Sequence, residues 1–146
     1  MERATEPLIS KNCHKVRLAA RACLELGDIA RAEDLTRAAL QAAEAQRKTH
    51  RHIASLATLG AVYARQAQYD KADQAFTQAL HIAARHEDRM REANARYDWG
   101  VTYRDRGERE KAFEQLDTAR AIFEQLGMTV FASRTRVALE ESAHPL

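Results

Sequence analysis

Residues 56–80 read LATLGAVYARQAQYDKADQAFTQAL, small residues at Gly60, Ala72 and Ala79 interleaved with large ones at Leu56, Tyr63 and Phe76. A glycine inside a helix costs about 1 kcal/mol relative to alanine, so Gly60 needs a packing reason to be there. Close approach of a second helix supplies one. On this reading Gly60 faces Ala72 across a tight helical hairpin, with Tyr63 and Phe76 filling the space beside it. A bulky residue at either small position then overpacks the contact at about 1–3 kcal/mol.

The pattern recurs. Shifting the chain against itself by 40 residues aligns Ala20 with Gly60 and Gly100, Ala32 with Ala72 and Ala112, and Ala39 with Ala79 and Ala119. Cys23, Tyr63 and Tyr103 fall into register as well, as do Val16 and Leu56, Leu40 and Leu80, and Ile82 and Ile122. Small and large positions recurring together mark an internal repeat.

Turn signals fall where a two-helix repeat needs them. Gly27-Asp28 and Gly107-Glu108 each put a left-handed C-cap residue ahead of an acidic helix start, and Gln68-Tyr69-Asp70 takes the same slot in the middle repeat. Between repeats, Thr49, Asp88 and Thr129 are the expected N-caps, and Gly127 ends the helix before Thr129. The reading predicts seven helices, at 7–26, 29–47, 50–66, 70–86, 89–106, 109–126 and 129–142. Pro7 and Pro145, the only prolines, lie at the two ends of that range.

These residues resemble the tetratricopeptide repeat family, whose pattern runs aromatic, Leu-Gly and Tyr on the first helix, then Ala, an aromatic and Ala on the second. The middle repeat supplies Leu56, Leu59-Gly60, Tyr63, Ala72, Phe76 and Ala79; the third supplies Trp99-Gly100, Tyr103, Ala112, Leu116 and Ala119; the first keeps Ala20, Cys23, Ala32 and Ala39. The period is 40 where the family's usual value is 34, and Ala84 and Glu124 replace the proline that often closes a repeat. Repeats this long look like those of bacterial signalling regulators of the maltose-regulator type and of animal scaffold proteins. Arg96 and Arg120 stand where the middle repeat has Leu56 and Leu80, which predicts a differently packed third hairpin.

The resemblance implies an all-α fold, a right-handed superhelical stack of antiparallel hairpins forming one domain over 1–146. Its repeats lie at 7–47, 50–87 and 89–127, and a capping helix at 129–142 closes it. It also implies a protein-interaction or scaffold module whose first helices line a concave groove that takes a peptide or a partner protein. The groove positions correspond to Arg17, Arg21, Thr58, Arg65, Asn94, Tyr97, Asp98 and Arg104, with His14, Ala54, Ala57 and Ala61 on the same side. Some members hold C-terminal carboxylates with a basic clamp. Arg17 alone matches a basic place in that clamp, and Asp98 carries the opposite charge.

Composition narrows the field. Charged residues make up 30% of the chain yet cancel to +2, so no field of one sign gathers nucleic acid or anionic lipid. Arginines outnumber lysines 18 to 5, as suits salt-bridged helix surfaces. A binder of nucleic acid or of an anionic metabolite would use Arg17, Arg21, Arg65 and Arg104 and lose affinity steeply with salt.

Cys13 and Cys23 form no CxxC pair and read as reduced core thiols. His50 with His52 and His81 with His86 miss the i, i+4 spacing of a helical zinc chelate. No cofactor, metal site or catalytic constellation is expected, hence no enzyme. No apolar run approaches the ~18 residues of a membrane helix and no signal segment opens the chain, so the expected location is cytoplasmic. Two alternatives stand beside the scaffold reading: the sensor segment of a bacterial regulator, and homo-oligomerisation through the apolar face of the last helix.

Overall fold

The computed structural model describes residues 13–143. Among them are seven helices and no strand: α1 (Cys13–Leu26), α2 (Ile29–Ala45), α3 (Thr49–Arg65), α4 (Tyr69–Arg85), α5 (Arg89–Asp105), α6 (Arg109–Gln125) and α7 (Thr129–Ala143). Each expected helix is present with ends shifted by at most a few residues. The stretch 7–12 of the first predicted helix lies outside the described residues, as do the side chains of Cys13 and His14.

The connections are six copies of one turn. Gly27, Arg47, Ala67, Glu87, Gly107 and Gly127 all have positive φ, between 52° and 85°, and follow one another every 20 residues. In each case the next residue's N–H reaches back to the carbonyl five residues earlier at 2.9–3.0 Å, and the positive-φ residue's own N–H reaches back three at 3.0–3.2 Å. This is the Schellman pattern, which satisfies the last carbonyls of a helix. The residue after the turn then accepts the first hydrogen bond of the following helix at 2.9–3.1 Å, so one residue ends a helix and starts another.

This geometry corrects two sequence expectations. Thr49 and Thr129 are the first residues of α3 and α7, one place too late to cap them. The cap positions fall to Lys48, which makes no side-chain cap bond, and to Met128, whose carbonyl accepts from Ala132. Asp88 caps α5 as expected, accepting from the Arg91 N–H at 3.1 Å, and Asp28 caps α2 in the same way at 3.3 Å.

Half of the turns place a residue with a Cβ in the left-handed region, which costs about 1–2 kcal/mol each. Arg47, Ala67 and Glu87 are all exposed, so a glycine there relieves the strain and removes no buried contact. After the entropy that glycine adds to the unfolded chain is deducted, Ala67→Gly is expected to stabilise by about 0.5–1 kcal/mol. Urea unfolding checks this, and a midpoint that stays put or falls overturns it.

The chain divides into two compact units, Met1–Ala79 and Leu80–Leu146. In the first, α1, α2 and α3 pack on one another. Leu24, Ala32 and Val62 form one buried cluster with Cys23, Ile29 and Ala61 against it; Ala39 and Ala43 form another with Val16 and Ala42. Cys23 is a free, half-buried thiol.

Gly60 is buried, but the group over it is not Ala72. A Cβ built there would stand 2.7–2.9 Å from three ring atoms of Phe76, which is itself fully buried. The glycine exists to admit the large ring one helical turn beyond the alanine. In the second unit the same substitution of roles recurs, a Cβ on Gly100 meeting Leu116 Cγ at 2.5 Å. The corresponding positions of the first hairpin are Ala20 and Thr36, both fully buried. There the first helix carries one methyl more, and the second carries a threonine where the other hairpins have a ring or a leucine.

In the second unit α5, α6 and α7 pack together. Ala93, Ala119, Ile122, Phe123 and Ala132 make its core, with Tyr97, Met128 and Phe131 packed on it. Arg96, at the place of the buried Leu56, bridges polar groups: its Nε donates to Glu92 at 3.0 Å and its Nη1 to Gln115 on α6 at 2.9 Å. The third hairpin is thus closed by hydrogen bonds where the second uses a leucine. Arg120 donates to Asp117 and Glu124, and Glu124 also accepts from Arg136, tying α6 to α7.

Helix α7 buries Ala132, Thr135, Ala138 and Ser142. Forty residues after Ala93, Arg96 and Gly100 come Ser133, Arg136 and Glu140, all exposed. The positions that face the hairpin partner in α5 carry polar residues in α7.

Candidate partner-binding surface

The sequence-derived contact residues divide between the two units. In the first unit, Arg17 and Arg21 are half-buried on α1, and both are engaged with other groups. Thr58 is fully buried, its hydroxyl donating to the Ala54 carbonyl at 3.0 Å, so it presents no surface to a ligand. Thr36, Thr102, Thr135 and Ser142 make the same back-bond to the preceding turn, whereas the buried Ser55 hydroxyl has no hydrogen-bond partner among the described residues. Arg65 is exposed, yet its Nη1 donates to the Leu24 carbonyl at 2.9 Å. It places a cation on the negative C-terminal end of α1 and joins α1 to α3.

Beside it runs a polar chain between α2 and the end of α3. Gln66 Nε2 donates to Glu33 at 2.7 Å, Glu33 accepts from Arg37 Nε at 3.3 Å, and Arg37 Nη2 donates to the Tyr63 hydroxyl at 2.7 Å. The Gln66 hydrogen bond, with help from Arg37, holds the Glu33 carboxyl below its ordinary pKa. Tyr63 also lies beneath the cations of Arg37 and Lys71, each 5.7 Å from the ring centre.

In the second unit, Asn94, Tyr97, Asp98 and Arg104 are all half-buried along α5. Spacings of three, four and seven residues put Asn94, Tyr97, Asp98 and Arg104 on one side of the helix. Tyr97 lies under the Arg134 guanidinium of α7, 4.3 Å from ring centre to Cζ. Arg104 Nη1 donates to Glu141 of α7 at 2.6 Å, and Asp98 is engaged as well. Sequence reasoning missed Arg134 and Glu141, because α7 carries none of the repeat's recurring small and aromatic residues.

Together these contacts follow one rule. Arg65 to Leu24, Tyr97 to Arg134 and Arg104 to Glu141 all connect a first-position helix to the next first-position helix. Three of the expected ligand contacts therefore serve as sideways ties in the folded chain. Two apolar side chains stay open on α7, among the exposed Arg134 and Glu141. Val130 is 77% exposed and Val137 52% exposed, on α7 one turn to either side of Arg134.

A family model described as the tetratricopeptide repeat matches residues 52–125, half of the chain. The chain belongs to the tetratricopeptide repeat family. The match takes in the second and third hairpins, whose glycines admit Phe76 and Leu116, and omits the first, where Ala20 replaces the glycine. Neither the curated proteins nor the solved structures provide a match. Tetratricopeptide repeats mediate protein–protein contacts and scaffolding and are not catalysts. Among the described residues no three His, Cys, Asp or Glu side chains gather as a metal site, and no helix is long and apolar enough to cross a membrane.

Proposed function

We propose that this chain is a non-catalytic interaction module that binds a protein or peptide partner along the side lined by its first-position helices. The observation that supports the reading best is the repeat itself, matched over its second and third hairpins, joined to the exposed Val130 and Val137 on either side of Arg134, which covers Tyr97. A half-buried tyrosine beneath an arginine, with two exposed valines on the same helix as that arginine, suits the core of an interface better than a solvated surface. The alternatives make separate predictions. A nucleic-acid binder loses affinity steeply with salt, whereas a self-assembling chain changes its mass with concentration.

The test compares the parent chain with an Arg17→Ala, Tyr97→Ala, Arg104→Ala variant as bait in source-cell lysate, the variant first checked for helical content and a cooperative melt. A protein retained by the parent and lost by the folded variant is the expected result. The same proteins on both baits would place binding elsewhere, and recovery of the chain alone would make self-assembly the function.

A further inference from the structure

Among the described residues, Arg134 is held in place by rings and by nothing charged. Its Cζ lies 4.3 Å from the centre of Tyr97 and 5.2 Å from that of Phe131, and Phe131 in turn stacks on the fully buried Phe123 at 5.4 Å. A guanidinium lying on a ring engages through its face and leaves its N–H donors unspent. Among the described residues Arg134 makes no hydrogen bond and has no carboxylate within ion-pair distance. Its neighbours behave otherwise: Arg96, Arg104, Arg120 and Arg136 each donate to a carboxylate. Arg134 is also exposed, and Val130 and Val137 flank it four residues before and three after, on one face of α7.

We infer that Arg134 is a preorganised carboxylate receptor. In this reading the Val130–Arg134–Val137 face of α7 binds a partner helix carrying an acidic residue with an apolar side chain about one turn to either side. The inference rests on the interaction function proposed above and names its partner chemistry. Ring stacking fixes the cation before binding, so an incoming acid gains a charge-assisted hydrogen bond without ordering a long side chain.

A helix is the fitting occupant because this fold already lays helices side by side at that face, α5 against α7 through Tyr97 and Arg104. The spacing of Val130, Arg134 and Val137 follows helical rise, and a helix alongside repeats it. A second copy docking by α1 fits poorly, since α1 carries Lys15, Arg17 and Arg21 against the single acid Glu25 and would bring cations to a cation.

The probes are capped, fluorophore-labelled helical peptides on an alanine and lysine background. One has Leu, Glu and Leu at i−4, i and i+3; a second has Gln for Glu; a third keeps Glu and has Ser for both Leu. Fluorescence polarisation with the parent chain is expected to show the Glu peptide binding about tenfold more tightly than the Gln peptide, and the Ser peptide losing most affinity. In Arg134→Gln the preference for Glu over Gln is expected to vanish with the melt unchanged, and Arg134→Lys, which keeps the charge without the flat fork, is expected to restore only part of it.

Equal binding of Glu and Gln peptides to the parent overturns the proposal, as does a preference that survives in Arg134→Gln or the absence of binding by any probe. So does a concentration-dependent dimer, seen by sedimentation, that Arg134→Gln dissociates. A lysate partner held equally by the parent and by Arg134→Gln leaves the interaction function standing and removes Arg134 from it.

Discussion

Phe123→Ala is expected to lower stability by about 3–5 kcal/mol, the range for deleting a fully buried phenylalanine. The ring has no exposed surface, and its core partners include Ala93, Ala119 and Ala132. Alanines have no side chain to swing into a void, so the cavity stays open and the cost sits toward the upper end. Phe131, stacked on it with 29° between the rings, loses its partner too. Against a total of roughly 5–15 kcal/mol for a domain, the second unit loses a large part of its margin. Chemical denaturation measures the effect, and a loss under about 1 kcal/mol would mean that the ring does not carry the core.

The second large effect is at Gly60. Leucine there sends a side chain into the Phe76 ring, which lies 2.7–2.9 Å from the position of a Cβ. The expected cost is about 3 kcal/mol or more, the upper end for overpacking a filled site. Gly60→Ala is the sharper experiment because two terms oppose each other. Helix propensity favours alanine by about 1 kcal/mol, and the ring contact opposes it, so a net loss is expected in the parent. With Phe76→Ala as background the clash is gone and Gly60→Ala should become stabilising. A double-mutant cycle measures the coupling; its absence would show that the ring and the glycine do not meet.

The sequence made the helices legible because two independent signals coincide, recurring small residues at a 40-residue shift and glycine turns at Gly27, Gly107 and Gly127. Arg47, Ala67 and Glu87 hold the same backbone conformation but give no sign of it, since nothing in those side chains favours the left-handed region. The pairing of Gly60 with Phe76 rather than with Ala72 was also hidden. A repeat shows which positions recur together and says nothing of which of them touch. Thr49 looked like a cap on composition and missed by one residue, because the turn spacing, not the residue type, sets where the helix begins.

The candidate surface was less legible than the fold for a related reason. Family position predicts which side of a helix a residue lies on, and Asn94, Tyr97, Asp98 and Arg104 do share one side of α5. Whether such a residue is available is decided by its neighbours. Thr58 is closed off by its own helix, and Arg65 and Arg104 are taken up by Leu24 and Glu141. Arg134 lies in the helix with the weakest repeat signature, and its setting depends on Tyr97, 37 positions earlier in the chain.

Because every connection is one turn of two or three residues whose last member both stops a helix and starts the next, the chain has no slack in which to hide a change of length. An extra residue inside a helix rotates everything beyond it by about 100°, which carries Ala112 and Leu116, or Ala132 and Thr135, out of the core and into water. Ordinary loops absorb insertions at little cost; these turns do not. A change of length that keeps the register is the gain or loss of a whole 40-residue hairpin, which restores every core position beyond it.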